Sequence, residues 1–377
     1  MAYSLLEGNE AIARGAIAAG CRFFAGYPIT PATTIYHSML NLLPSVGGIC
    51  LQGEDEIASI GFWGASMAGM KVMTATSGPG ISLYSENISF AVGSEIPIVI
   101  VDVQRLGPST GSATRGADGD INFLRWGSSG GLPVIVLAPV DVNDCFALTI
   151  QAFNLAERFR CPVFIASNKE IGMTRESIDL DGFDVPDIIA RTPAPPKQPF
   201  RPFQADTGQA VPGFLPIGDN VLVRQTSSTH GPDGYITTDS DEIASSQQRL
   251  KAKLLSAVDQ LTFHETFNMD DADTLVISYG VSARAAKAVF NEQNRLGKPV
   301  SLLILKTLWP VPEHLIRQVA QSVKRIVVVE MNMGQYIREI KRILPEKRID
   351  FLGQMDGRLI TPAQITEVID SESFSKC

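Results

Sequence analysis

Apolar positions in this chain follow two recurring patterns. One is the short β-branched run with little polar alternation, and the other is the longer stretch with small and apolar residues at helical spacing. Residues 98–103 read IVIVDV, and 134–137 and 163–166 are of the same kind. Such runs suit strands of a parallel sheet that is covered on both faces, where neither side meets water. Residues 23–25 and 72–76 add two more short strands. The stretches 7–19, 57–69, 81–92 and 140–159 carry the helical spacing between them. This alternation predicts a doubly wound α/β domain over residues 1–190.

The pattern then breaks. Residues 191–214 contain TPAPPKQPFRPF, with Pro193, Pro195, Pro196, Pro199, Pro202 and Pro212. Proline at that density removes backbone donors and fixes φ, so regular helix and central strand are both excluded. The segment reads as a linker or crossing arm. The polar stretch 225–246 reads as loop, with a helix over 242–261 leading onward. A second unit starts at Asp273, with strands at 275–279, 300–306 and 326–330 and helices at 281–296 and 312–323. That order again predicts parallel strands joined by right-handed crossovers. The expected division is 1–190, then an arm over 191–260, then 261–377.

Bulk properties narrow the function classes. The chain has 377 residues, 45% hydrophobic and 19% charged, an ordinary globular balance. Its net charge of −8 argues against a nucleic-acid-binding surface. No run approaches the roughly 18 apolar residues of a membrane span, and the first residues do not resemble a signal peptide. A cytoplasmic location is expected. Cys21, Cys50, Cys145, Cys161 and Cys377 show no CxxC spacing, so an iron–sulfur cluster held by this chain alone is not expected. The four histidines are scattered and suggest no metal centre.

Candidate chemistry concentrates in four short motifs, three of which follow predicted strands. Gly26-Tyr27-Pro28-Ile29-Thr30-Pro31 is stiffened by two prolines and offers the Thr30 hydroxyl, and Thr33 or Thr34 is placed to cap the next helix. Glu54, Asp55 and Glu56 precede an apolar helix, where first-turn acids also favour the macrodipole. Thr76-Ser77-Gly78-Pro79-Gly80 lets backbone approach a ligand closely at a helix N-terminus. Arg105 opens a polar loop with Thr110, Thr114 and Arg115, and its guanidinium can grip a carboxylate through two parallel hydrogen bonds. Gly116 to Asp120 (GADGD) is only a partial match to a magnesium–diphosphate signature and is discounted as a metal site.

Taken together and in this order, GYPITP, GEDEIASI, GAS, TATSGPG, EIPIVIVDVQRLGPSTG and the pair Gly119-Asp120 resemble the pyrimidine-binding domain of thiamine-diphosphate enzymes. More narrowly, they resemble the α subunit of 2-oxoacid:ferredoxin oxidoreductases of the 2-oxoglutarate synthase type. SYGVSARAAKAV, LLILKTLWPVPEHLI and VVVEMNMGQ extend the likeness into the second unit, which would be transketolase C-terminal-like. The resemblance implies a catalytic Glu56 that hydrogen-bonds N1′ of the aminopyrimidine and drives proton removal from the thiazolium C2. It implies that Thr76, Ser77, Gly78 and Pro79 line the cofactor pocket. Thr30 and Arg105 would meet the substrate, and Thr110 and Arg115 extend that substrate-binding loop, with no metal ligand on this chain. The spacing from Glu56 to Gly64 is one residue short of the family pattern, which leaves Glu54 or Asp55 as alternative activating acids.

The implied activity is CoA-dependent oxidative decarboxylation of a 2-oxoacid, with 2-oxoglutarate preferred, to an acyl-CoA with electrons passing to ferredoxin. Thiamine diphosphate would be shared with a β subunit carrying Mg2+ and a [4Fe-4S] cluster, within an (αβ)2 hetero-oligomer that can include a γ subunit. Arg115 and Lys169 are the sequence candidates for a substrate's far carboxylate. Two other classes stand beside this reading: a non-oxidative thiamine enzyme of the decarboxylase or acetolactate type, and a scaffold subunit with a degenerate pocket.

Overall fold

A computed structural model describes residues 3–371 apart from Phe62 and the side chain of Ser59, together with the backbone of Ser375 and Lys376. Cys377 lies outside the described residues. The first unit is built on a seven-stranded sheet. Its order is Thr307–Trp309, Ile135–Leu137, Pro162–Asn168, Ile98–Gln104, Val72–Thr76, Phe23–Gly26 and Ile49–Gln52. The last six are mutually parallel, and Ile98–Gln104 and Pro162–Asn168 are buried along their whole length, as uninterrupted apolar runs require. The helices Gly8–Ala18 and Val142–Phe159 pack together on one face. A Cβ on Gly15 would lie 2.6 Å from the Phe146 carbonyl oxygen, so glycine permits that close approach.

The edge strand Thr307–Trp309 comes from the second unit and runs antiparallel to Ile135–Leu137. The two units thus share a sheet that the sequence pattern confines to the first. The second unit has its own sheet, ordered Ser375–Lys376, Arg348–Gly353, Arg325–Glu330, Thr274–Tyr279, Ser301–Leu305 and His264–Phe267. All its pairings are parallel except that of His264–Phe267, an antiparallel edge. Glu265 on that edge is paired with Lys306 and Lys287, which places charge where an unprotected strand would invite another chain.

Two predicted helices are each broken in the structure. The stretch 57–69 forms Glu56–Gly61 and Gly64–Met67, because Gly61 and Gly64 weaken helix. Trp63 turns out at the break to stack on Phe90 at 4.3 Å and to donate to Asn87 Oδ1. The stretch 81–92 forms Gly78–Leu83 and Ser85–Gly93, and Tyr84 at the junction points its hydroxyl to Thr74 Oγ1. Neither Thr33 nor Thr34 caps the helix Thr33–Leu42. The Thr34 hydroxyl instead accepts from Asn9 Nδ2 at 2.8 Å.

Between Ile178 and Ser240 the described chain forms neither helix nor strand. It is held by side chains of the first unit: Arg160 donates to the carbonyls of Pro202, Pro212 and Gly213. Arg191 reaches back to Glu157 and to the carbonyls of Ser66 and Met70. The helix Ser240–Leu255 then docks through Arg249 and Lys253 onto Glu95. No helix is long and apolar enough to cross a membrane among the described residues.

Candidate active site

The four turns singled out in the sequence leave the carboxyl ends of four strands that are neighbours in the sheet: Ile98–Gln104, Val72–Thr76, Phe23–Gly26 and Ile49–Gln52. Segments far apart in sequence therefore converge on one edge of the sheet, the place where open α/β sheets hold ligands. The GYPITP turn is fixed from behind. Fully buried Asn9 donates to the Pro31 carbonyl and to Thr34 Oγ1, both at 2.8 Å.

The three consecutive acids separate by geometry. Asp55 Oδ1 accepts from Ala58 N at 2.7 Å and caps the helix Glu56–Gly61, while Glu54 is exposed. Glu56 turns inward against the TSGPG turn. A Cβ placed on Gly80 would lie 2.9 Å from Glu56 Cγ and 2.0 Å from Thr76 Oγ1. Any larger residue at 80 would fill the space that the carboxylate and hydroxyl border. Ser77 is buried, with its Oγ lacking a partner, and Gly78 and Pro79 form the first turn of the following helix. Space kept open by Gly80 and bordered by the Glu56 side chain and the Thr76 hydroxyl suits a planar heteroaromatic group that offers both a hydrogen-bond donor and an acceptor.

Arg105 is buried at the end of its strand. It donates from Nη1 to the Thr30 carbonyl oxygen at 2.6 Å, and its Nε is left without a partner. Burial lowers its pKa, and the nearby charges of Asp120 and Glu56 oppose that shift. A buried guanidinium with a spare N–H is poised to accept an anionic ligand. Thr30 itself is exposed at the turn. Thr110 is exposed at the tip of the next loop, and Arg115 is exposed at its base, packed against Gly357 of the second unit. Lys169 is paired with its neighbour Glu170.

Three acids at this site, Asp102 and Asp118 buried and Asp120 partly so, received no role from the sequence. Asp102 interrupts the apolar run of its strand, and Asp118 and Asp120 lie in the discounted GADGD segment. Burial pushes Asp118 up to about 7, with Asn168 opposing and Glu330 and Asp120 adding to the shift. Burial likewise raises Asp120 to about 6, although Asp102 and Arg105 favour its charged form. Asp102 is raised further, by burial and then by Asp120. An aspartate inside IVIVDV was the one signal available, since an acid in a fully buried strand needs a reason. The second unit holds the loop that carries two of these acids. Asn332 Nδ2 donates to the Asp118 carbonyl at 2.9 Å, Asp118 N donates to the Met331 carbonyl at 2.8 Å, and Gln335 binds both Gly119 O and Asn122 N.

The chain matches two family models: "Pyruvate flavodoxin/ferredoxin oxidoreductase, thiamine diP-bdg" over residues 14–249, and "Pyruvate:ferredoxin oxidoreductase core domain II" over 272–365. It is 40% identical to 2-oxoglutarate synthase subunit KorA of Methanothermobacter marburgensis over 370 residues, 97% of each chain. It is 34% identical to ketoisovalerate oxidoreductase subunit VorB of Methanothermobacter thermautotrophicus, covering 98% of this chain and 97% of that one. Among solved structures it superposes on 2-oxoglutarate:ferredoxin oxidoreductase from Magnetococcus marinus with a TM-score of 0.92 and 30% identity. That match covers 97% of this chain and 64% of the other, whose structure contains 2-oxoglutarate, coenzyme A and succinyl-CoA. A split-gene transketolase at 12% identity and a TM-score of 0.56 shares the fold.

Proposed function

The chain belongs to the 2-oxoacid:ferredoxin oxidoreductase family, and we propose from that premise that it is the α subunit of a cytoplasmic, CoA-dependent enzyme that oxidatively decarboxylates 2-oxoglutarate. The observation that carries the reading is the convergence of Glu56, the Thr76–Gly80 turn and Arg105 on adjacent strand ends. The preference for 2-oxoglutarate over a branched-chain acid rests on identity of 38–40% to several 2-oxoglutarate synthase subunits, against 34% to the ketoisovalerate subunit.

Thiamine diphosphate, when bound, supplies the carbon nucleophile that adds to the keto group. This chain's part is to activate and orient. Glu56 holds the hydrogen bond to the aminopyrimidine that makes proton removal at C2 possible. Thr76, Ser77, Gly78 and Pro79 wall the ring and exclude water from it. Arg105 grips the carboxylate that will leave as CO2, and Thr30 borders it. Thr110 and Arg115 extend the substrate loop.

A partner subunit would complete the site and carry Mg2+, a [4Fe-4S] cluster and the path to ferredoxin. The face beside Glu56 suits such a partner. Ile49 and Leu51 stand exposed on the open edge strand Ile49–Gln52, at 43% and 38%, and Leu40 is exposed on the helix Thr33–Leu42 that packs beside it. Exposed apolar groups gathered at one sheet edge mark an interaction surface. Co-purification with the β subunit, then acceptor-dye reduction against a panel of 2-oxoacids with CoA, tests the proposal. Fastest turnover with 2-oxoglutarate is expected. Preference for a branched-chain acid would reassign the substrate, and activity indifferent to both Glu56→Gln and Arg105→Ala would reduce the chain to a scaffold.

A further inference from the structure

In the sheet of the second unit the chain passes from Thr274–Tyr279 to Ser301–Leu305 on one side and then to Arg325–Glu330 on the other. The carboxyl ends of Thr274–Tyr279 and Arg325–Glu330 therefore flank the point where strand order reverses, the crevice in which open α/β sheets hold ligands. Here residues 116–122 of the first unit lie in it. A Cβ on Gly280, just past Tyr279, would sit 3.1 Å from Asp118 Oδ2. Just past Glu330, Asn332 Nδ2 donates to the Asp118 carbonyl at 2.9 Å. Gln335 accepts from Asn122 N at 2.7 Å, and its Nε2 donates to the Gly119 carbonyl.

Asn332 is fully buried, and both ends of its amide are engaged. Nδ2 also donates to the Tyr279 hydroxyl, and Oδ1 accepts from Gly334 N and Gln335 N. The Tyr279 hydroxyl donates in turn to buried Glu330. A satisfied buried network holds its members in one arrangement, so Asn332 aims Gln335 at the loop that both of them grip. That loop returns to Arg105 on both sides. Asp120 N donates to Gln104 Oε1 at 2.9 Å, and Leu106 N donates to the Arg115 carbonyl at 2.8 Å.

We infer that Asn332 and Gln335 are positioning residues for substrate binding: the second unit uses its own ligand crevice to clamp residues 116–122, and through them it holds Arg105 and Arg115 in place. With Arg105 read as the carboxylate clamp, the second unit thereby sets how the substrate is gripped without touching it. Arg115 lies across Gly357 of the same unit, where a Cβ would come within 2.9 Å of its own.

The test uses the assembled complex. Gln335→Met keeps the length and removes both hydrogen bonds to the loop, at a half-buried position. KM for 2-oxoglutarate is expected to rise about tenfold, with kcat within about threefold of wild type. Proton exchange at C2 of bound thiamine diphosphate, which depends on Glu56, is expected to stay at the wild-type rate. In an Arg105→Ala background, Gln335→Met is expected to add less than about twofold to KM, because the group it positions is gone. An unchanged KM in Gln335→Met, or the full rise persisting in that background, overturns the inference.

Backbone hydrogen exchange reads the loop without turnover. In Gln335→Met and in Asn332→Ala, the amides of Leu106, Asp118 and Asp120 are expected to exchange about tenfold faster or more, while those of the strand Ile98–Gln104 keep their protection. Wild-type protection of the loop amides overturns the inference, and if Asn332→Ala does not assemble, Gln335→Met decides. Faster loop exchange with a KM indifferent to Arg105→Ala overturns the clamp reading instead and leaves the hold on the loop standing.

Discussion

Glu95 and Asp102 are both fully buried acids, one just before the strand Ile98–Gln104 and one within it, yet their surroundings are opposite. Glu95 meets Arg249 Nη2 at 2.6 Å and Lys253 Nζ at 2.9 Å. Burial alone would raise its pKa, but Lys253, Arg249 and Arg160 outweigh burial and hold it at about 2. Its backbone sits in the left-handed region at φ 52°, a conformation that other contacts must stabilise. Asp102 has no cation and no donor, and its pKa moves the other way. The first arrangement fastens the helix Ser240–Leu255 to the first unit. The second leaves polar capacity unspent beneath a turn, which a fold built for stability alone would not do.

The largest effect expected is at the site. Glu56→Gln in the assembled complex should lower kcat by about 10²–10⁴, with the thermal midpoint unchanged, because only the charge at the aminopyrimidine is lost. Glu54→Gln and Asp55→Asn serve as comparators and should change kcat far less, since one acid is exposed and the other caps a helix. Steady-state dye reduction and thermal melts read all three.

On the structural side, Glu95→Gln should cost about 3–5 kcal/mol, because it leaves the charges of Lys253 and Arg249 poorly compensated. Chemical denaturation measures this. The contribution of Glu95 has a defined pH window. Its folded pKa lies below the ordinary 4.5, so the stabilisation is complete above that value and fades as pH falls toward 2. The Glu95→Gln variant should therefore differ most from wild type at neutral pH and least in strong acid.

Arg105→Lys should raise KM for the 2-oxoacid by about tenfold or more, with kcat less affected, since a point charge cannot reproduce the forked geometry. A further effect has the opposite sign. Asp118 is raised to about 7 in the folded chain from 3.8, so keeping it protonated costs stability progressively as pH rises from about 4 to about 7. Asp118→Asn should stabilise by up to about 4 kcal/mol near pH 8, with the gain shrinking to nothing near pH 4. Melting curves across that range would show it.

Much of this was readable in the residues. The β-branched runs at 98–103 and 163–166 could be little else than buried parallel strands, and the prolines between 193 and 212 excluded regular structure. The short edge strands were not readable. Ile49–Gln52, His264–Phe267 and Thr307–Trp309 have three or four residues each, and their partners lie far away in sequence. Their strand character comes from the neighbour and not from local pattern. The helix break at Tyr84 depends on a tertiary partner, Thr74, whereas the break at Trp63 has a local cause in Gly61 and Gly64. At the site, Arg105 stood out because it follows a strand, and Glu56 because it is one of three acids that open an apolar helix. The Asp102–Asp120 pair did not, because its meaning depends on two segments meeting in space.

The central claim is that one carboxylate of this chain activates a coenzyme whose diphosphate is held by another. The most direct measurement is the rate of hydrogen–deuterium exchange at C2 of thiamine diphosphate bound to the assembled complex. Glu56→Gln is expected to slow that exchange by orders of magnitude while Glu54→Gln leaves it near wild type. Exchange at the wild-type rate in Glu56→Gln would contradict it.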